Sequence, residues 1–191
     1  MDKKVVLITG GSSGIGKSIG TYLVQKGFTV YGTTRNPKNY PDFKAFELVQ
    51  LDVVNVESIQ KAVSYIISKE NRLDVLINNA GVGITGPIEE TPHEEILRVF
   101  DTNFHGPVHV MKAVLPQMRK QGGGAIINIT SIAGYMGLPY RGFYSATKGA
   151  LGILTEALRM DTKDFGFNIN NVAPGDFATN IDSGRYHAPV I

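Results

Sequence analysis

Short apolar runs alternate with longer amphipathic stretches along this chain, and few folds accommodate that order. The runs at 4–9, 29–33, 45–50, 75–78, 125–130 and 168–172 read as strands. Between them, 14–26, 56–69, 91–120 and 143–165 carry the spacing of helices. A strand that is followed by a helix and then by another strand needs a crossover connection, which makes the strands parallel and lays helices over the sheet. Several runs are continuously apolar rather than alternating, as strands buried on both faces must be. The expectation is an α/β fold, a doubly wound parallel sheet with helices on both faces. With 191 residues, 42% of them hydrophobic, the chain can bury one substantial core. No repeat or composition shift divides it, and the triple glycine at 122–124 reads as a helix stop and turn. One domain over residues 1–191 is expected.

Charge narrows the partners. The 19 basic and 17 acidic residues are scattered and leave a net charge of +2, without the basic stripe that follows nucleic-acid phosphates. Nucleic acid and membrane are therefore not expected as partners. The absence of cysteine removes disulfides, thiolate metal sites and a cysteine nucleophile. The apolar run at 5–8 is cut off by Thr9-Gly10-Gly11, far short of a signal-peptide core or a membrane span. A cytoplasmic enzyme is the simplest reading. His105 and His109 lie four apart, but no glutamate completes an H-E-x-x-H pattern and Pro107 stands between them, so no metal site is expected.

The first run leads into Thr9-Gly10-Gly11-Ser12-Ser13-Gly14-Ile15-Gly16 and then into a helix. Glycines let such a turn tighten and bring backbone N–H groups against a pyrophosphate, which the positive end of the helix also attracts. A plain tight turn is the alternative. The spacing is G-x-x-x-G-x-G rather than the commoner G-x-G-x-x-G. Gly11, Gly16, Lys17 and Ser18 also satisfy the phosphate-loop pattern G-x-x-x-x-G-K-[ST], which makes a nucleoside-triphosphatase the competing reading. That enzyme needs a magnesium carboxylate at the end of another apolar strand. Asp52 is a poor match because the polar Gln50 interrupts its run.

After the second strand, a carboxylate would bind the ribose of NAD, whereas a basic residue neutralises the 2′-phosphate of NADP. The chain has Thr33-Thr34-Arg35-Asn36 there and no acid. Arg35 offers a fork of donors suited to phosphate, and a threonine hydroxyl can add another. NADP (NADPH) is the expected cofactor, with NAD as the alternative; a solvated loop charge is the other reading of Arg35. Tyr144 and Lys148, four apart on an expected helix, share one face. A free phenol titrates near about 10, and a neighbouring ammonium favours phenolate, so the pair can exchange a proton with a carbonyl oxygen. A packed ring beside a solvated amine is the alternative. Ser131 follows a strand at the carboxyl edge where α/β ligands bind, as a hydroxyl for a substrate oxygen or as a turn residue.

The glycine loop, Asn78-Asn79-Ala80-Gly81, Asn103, Ser131, Tyr144-Ser145-Ala146-Thr147-Lys148 and Pro174-Gly175, in this order and spacing, resemble the short-chain dehydrogenase/reductase family over nearly the whole chain. Met136-Gly137-Leu138-Pro139 and Asp101-Thr102-Asn103-Phe104 look closest to hydroxysteroid-dehydrogenase-like and related carbonyl-reducing members. The resemblance implies a Rossmann-like sheet in the order 3-2-1-4-5-6, continued by a seventh strand. It implies catalysis by Asn103, Ser131, Tyr144 and Lys148, with Asn103 binding a water that links Lys148 to solvent and Lys148 reaching the nicotinamide ribose. For the cofactor it implies Gly10, Ser12, Ser13, Gly14, Ile15 and Gly16 at the pyrophosphate, and Thr34 and Arg35 at the phosphate end. Asp52 and Val53 would lie at the adenine, where a plain turn aspartate is the other reading of Asp52, and Asn79, Ala80 and Gly81 at the ribose. Pro174, Gly175 and Thr179 would complete the site. The expected activity is NADPH-dependent interconversion of a ketone and a secondary alcohol, on a small-molecule carbonyl or alcohol, in a homo-oligomer. A non-catalytic NADP-binding regulator is a further alternative. The chain stops at Ile191, where members of the family continue through a substrate-covering segment, a helix and the last strand. It is expected to lack that segment, as a truncated chain or a short form.

Overall fold

Val5 and Leu7 point to one side of the first strand and Val6 and Ile8 to the other, and all four are buried. Only a strand covered on both faces behaves this way. The structure, a computed structural model, describes residues 3–175 and 184–189. Among them the chain runs β1 (Val5–Ile8), α1 (Gly14–Gln25), β2 (Thr29–Thr34), β3 (Glu47–Gln50), α2 (Val56–Glu70), β4 (Val75–Asn78), β5 (Ile84–Thr85), α3 (His93–Phe100), α4 (Gly106–Lys120), β6 (Gly124–Ile129), α5 (Gly142–Asp161), β7 (Phe167–Val172) and β8 (Tyr186–His187).

Six strands form one parallel sheet in the order β3-β2-β1-β4-β6-β7, the expected 3-2-1-4-5-6 when its members alone are counted. Helices α2, α4 and α5 pack on the face that carries Val5 and Leu7, burying Ile66, Val114, Met118 and Leu151. On the other face Ile19 and Leu23 of α1 cover Val6, Ile8 and Val30. Beyond α1 that face holds an apolar trough of about 400 Å³, bounded by Phe28, Ile77, Ile127 and Val172. The chain leaves β1 toward β2 on one side and returns to β4 on the other, so the carboxyl ends of β1 and β4 diverge and open a crevice.

Three expectations change. The helix expected over 91–120 is α3 and α4 joined by a π turn at Asp101–His105. Pro107 explains the turn: it has no N–H to give the Asn103 carbonyl four residues earlier, and the Gly106 N–H donates instead to Asp101, five residues back. The strand expected from 45 starts at Glu47. The helix expected to 165 ends at Asp161, and Gly166 closes the following 3-10 turn in the left-handed region at φ 71°. The two-residue strands β5 and β8 form a separate parallel pair; two residues carry too little pattern to be read in advance.

The sheet also buries a polar bridge. Asn128 of β6 is fully buried, accepts from Asn78 of β4 at 2.8 Å and donates to Thr155 of α5 at 2.8 Å. It thereby ties two strands to the helix above them. Losing one member of such a buried network strands the other polar groups. Asn128→Ala is expected to lower stability by about 2–4 kcal/mol, against less than about 0.5 kcal/mol for Ala at exposed Asn170. Urea unfolding of the two variants checks this.

Candidate active site

The glycine loop is held by the ends of three strands. Thr9, after β1, accepts on its hydroxyl from the Asn79 N–H at 2.9 Å and the Ala80 N–H at 3.0 Å. The Asn79 amide returns two bonds, to the carbonyls of Thr9 at 2.9 Å and Gly10 at 3.1 Å. From β2, the Thr33 carbonyl takes the Gly11 N–H at 2.9 Å, and its hydroxyl takes the Gly10 N–H at 3.3 Å. Gly10 and Gly14 are left-handed, at φ 64° and 51°, which favours glycine. A Cβ on Gly16 would lie 2.6 Å from the Asn79 amide nitrogen.

Helix α1 starts beyond this loop with no side-chain cap on Ser13 and no acidic residue in its first turn. Its positive end therefore faces a bare glycine cradle, a fit for an anionic pyrophosphate. Ser12, Ser13 and Ile15 are half-buried around it. Lys17 and Ser18 are exposed, and the Lys17 ammonium stands over the Phe43 ring, 5.5 Å from its centroid.

Past β2, Arg35 is exposed and forms no ion pair with a described residue. Thr34 is half-buried, its carbonyl accepting from Leu51 at 2.9 Å, while the Thr33 hydroxyl is committed to the glycine loop. Asp52 accepts on Oδ1 from the Val54 N–H at 3.2 Å, and its own N–H donates to Ser58 at 3.0 Å; it has the geometry of a turn aspartate. Val53 turns its side chain into the core against Gly106, so only its backbone faces the site.

Tyr144 and Lys148 lie together on α5 beside the end of β6, the strand that Ser131 follows. Ser131 caps the 3-10 turn Ile132–Gly134, its hydroxyl accepting from Ala133 at 3.1 Å. That turn packs on α5: a Cβ on Gly134 would lie 2.9 Å from the Lys148 carbonyl carbon. The Lys148 ammonium lies 5.9 Å from the Tyr144 ring centroid and donates to the Ile129 carbonyl at 2.9 Å. Burial pushes its pKa down to about 8, because an ammonium removed from water is disfavoured.

Gly81 adjoins the same amine, since a Cβ there would stand 3.6 Å from Lys148 Nζ and 3.3 Å from Asn103 Oδ1. The Asn103 side chain is fully engaged. It accepts from the Val82 N–H at 2.9 Å and donates to the Val82 carbonyl at 2.9 Å and the Thr147 hydroxyl at 3.3 Å. The Asn103 carbonyl has lost its α-helical donor at Pro107. The Pro174 carbonyl accepts from Ile132 at 3.2 Å, and Gly175 lies beside the Ile132 side chain. Thr179 lies outside the described residues.

Sequence reasoning missed Thr9, Thr147, Pro107 and the Ile129 carbonyl. Thr9 sat inside the quoted loop as its first letter, and the bond it makes to residues seventy positions away leaves no local pattern. In sequence Pro107 bears only on the His105 and His109 pair. His105 Nδ1 lies 2.9 Å from Asp101 Oδ1, and His109 Nδ1 is buried without a hydrogen-bond partner among the described residues.

Residues 4–189 match the model of a family described as short chain dehydrogenase. A 3-ketodihydrosphingosine reductase of Bacteroides thetaiotaomicron is 46% identical over 185 residues, which is 97% of this chain and 68% of that protein. A short-chain dehydrogenase structure from Streptomyces avermitilis superposes with a TM-score of 0.91 at 36% identity, over 100% of this chain and 73% of that one. ElxO, solved with NADP bound, superposes with a TM-score of 0.87 at 37% identity, over 96% of this chain and 79% of that one.

The buried amine carries a cost with a defined sign. Folded Lys148 titrates at about 8 against an ordinary 10.5, so between these values the unfolded chain binds more protons and stability rises with pH. The cost, on the order of 3 kcal/mol, is fully present below about pH 8. Lys148→Met is expected to be the more stable protein at pH 7, with an advantage that shrinks as pH passes from 8 to 10.5. Urea midpoints of both proteins across that range check it; an unchanging difference would contradict it.

Proposed function

We infer that this chain, which belongs to the short-chain dehydrogenase family, is an NADP(H)-dependent oxidoreductase that interconverts a ketone and a secondary alcohol, with Tyr144 exchanging the proton. One observation carries the reading. The buried Lys148 ammonium stands beside the Tyr144 ring and beneath the strand end that presents Ser131. With its pKa near 8, Lys148 is charged at neutral pH.

When bound, the nicotinamide supplies or accepts the hydride at the carbinol carbon. The residues of this chain handle the rest. The cradle from Gly10 to Gly16 holds the pyrophosphate, Asn79, Ala80 and Gly81 line the ribose, and Arg35 and Thr34 meet the 2′-phosphate. In reduction the Ser131 hydroxyl holds the substrate oxygen against the phenol. Tyr144 gives that oxygen its proton, and the Lys148 ammonium stabilises the phenolate left behind. The proton is restored from solvent through Lys148 and a water on the Asn103 carbonyl. A phosphate-loop hydrolase has less support: Lys17 stands over Phe43, and Asp52 is engaged in its own turn.

The residues after Ser131 favour a substrate with an alkyl chain. Ile132, Tyr135, Met136 and Tyr140 are large, apolar and exposed between Ser131 and Tyr144. Tyr140 is held at a left-handed φ of 60° while its carbonyl accepts from Gly86 at 2.8 Å. An apolar wall beside a proton donor suits a long-chain ketone, in keeping with the name of the relative from Bacteroides.

Two variants test the reading. Tyr144→Phe should fold and bind NADPH but reduce ketones about a hundred- to ten-thousand-fold more slowly. A variant that makes alcohol at the unmodified rate would overturn the role of Tyr144. NADPH should bind more tightly than NADH, and Arg35→Ala should remove that preference, a loss of roughly one to three kcal/mol. Calorimetric titration with both cofactors measures it.

A further inference from the structure

The connection from β2 to β3 carries no α-helix. From Arg35 it passes through a chain of turns: Asn36 caps the 3-10 turn Pro37–Asn39, Tyr40 donates back to Pro37, and Phe43 donates back to Tyr40. Residues 38–42 are exposed, so the core does not hold them. What holds the segment is Phe46. Its ring lies between α1 and β2, where a Cβ on Gly20 would run into its Cε1 and a Cβ on Gly32 into its Cε2. Neither glycine has a positive φ. Their backbone conformations suit any residue, and it is the ring that requires glycine.

Glycine inside a helix or a strand costs roughly 0.5–1 kcal/mol relative to alanine, and here two accept that cost for one aromatic ring. Phe43 packs edge-on against Phe46 at 4.9 Å, with Lys17 of α1 over its outer face. The segment is thereby clamped to the helix whose N-terminus faces the glycine cradle. The hydrogen bonds that build the cradle itself come from Thr9, Thr33 and Asn79 and do not pass through Phe46.

We propose that Phe46, wedged into the notch between Gly20 and Gly32, is the positioning residue for the 2′-phosphate of the cofactor, fixing the loop that presents Arg35 to the adenosine end of the cradle. The proposal rests on the NADP reading given above. A charge-assisted fork on a phosphate depends on where the guanidinium stands, whereas the pyrophosphate is met by backbone held elsewhere. Loosening the wedge should therefore affect NADPH and spare NADH.

The test is calorimetric binding of NADPH and NADH to the unmodified protein and to Phe46→Ala, Phe46→Leu, Gly20→Ala, Arg35→Ala and the Phe46→Ala/Arg35→Ala double variant, with circular dichroism to show that each is folded. Phe46→Ala should weaken NADPH about tenfold and leave NADH within about twofold. Phe46→Leu, which refills part of the notch, should recover part of the loss. Gly20→Ala displaces the ring with Phe46 intact and should weaken NADPH in the same selective way, which keeps the proposal open to test should Phe46→Ala not fold. The double variant should bind NADPH no more weakly than Arg35→Ala alone. Equal weakening of both cofactors by Phe46→Ala and Gly20→Ala, or of neither, overturns the proposal. Should Arg35→Ala leave the preference intact while the Phe46 variants lower it, the assignment of Arg35 fails, and with it the route by which the wedge was proposed to act.

Discussion

Six parallel strands must all end at the same edge of their sheet, and the loops that frame the site follow from that. The glycine loop leaves β1, Arg35 leaves β2, Asp52 leaves β3, Asn79 to Gly81 leave β4, Ser131 leaves β6, and Pro174 leaves β7. Residues scattered over most of the chain meet because crossover helices return each strand to the same starting edge. The switch between β1 and β4 then supplies the crevice.

Holding those ends in place takes buried polar groups rather than more hydrophobic contact. Four bonds link Thr9 and Gly10, after β1, to Asn79 and Ala80, after β4. The Asn103 amide pins the backbone of Val82, and Asn128 joins β4 and β6 to α5. Buried bonds of this kind fix geometry more sharply than apolar packing does. Lys148 is the exception in energy: its ammonium is buried with a carbonyl for partner and no carboxylate among the described residues. A fold selected for stability alone would place a methionine or leucine there, and a group retained at that cost marks a site where charge is used.

The fold was legible in the sequence because its signal is periodic. Continuous apolar runs at 5–8, 75–77 and 125–127 declare buried parallel strands, and the six-strand order agrees with what the family resemblance implied. Tyr144 and Lys148 were legible as neighbours because a helix turns once in four residues. The roles of Thr33 and Asp52 were less so, since a threonine that braces a glycine loop and one that meets a ligand look alike in sequence. Phe46 was silent altogether. An aromatic ring at the start of a strand gives no hint that two glycines, at 20 and 32, are vacant for it. The π turn at Asn103 was obscured because 91–120 reads as one continuous helix, and only the bond that Pro107 cannot give to Asn103 shows where it breaks.

The central claim is that one edge of this sheet transfers hydride and proton to the same carbonyl. Its most direct test is isotopic. The protein is given NADPH deuterated at C4, in each of the two stereochemical forms, together with a panel of ketones that includes long-chain members, and the alcohol is analysed by mass spectrometry and NMR. The account predicts that one form delivers a single deuterium to the carbinol carbon, with one NADPH consumed for each alcohol formed. Bound NADPH that passes no deuterium to any ketone of the panel from either form would contradict it.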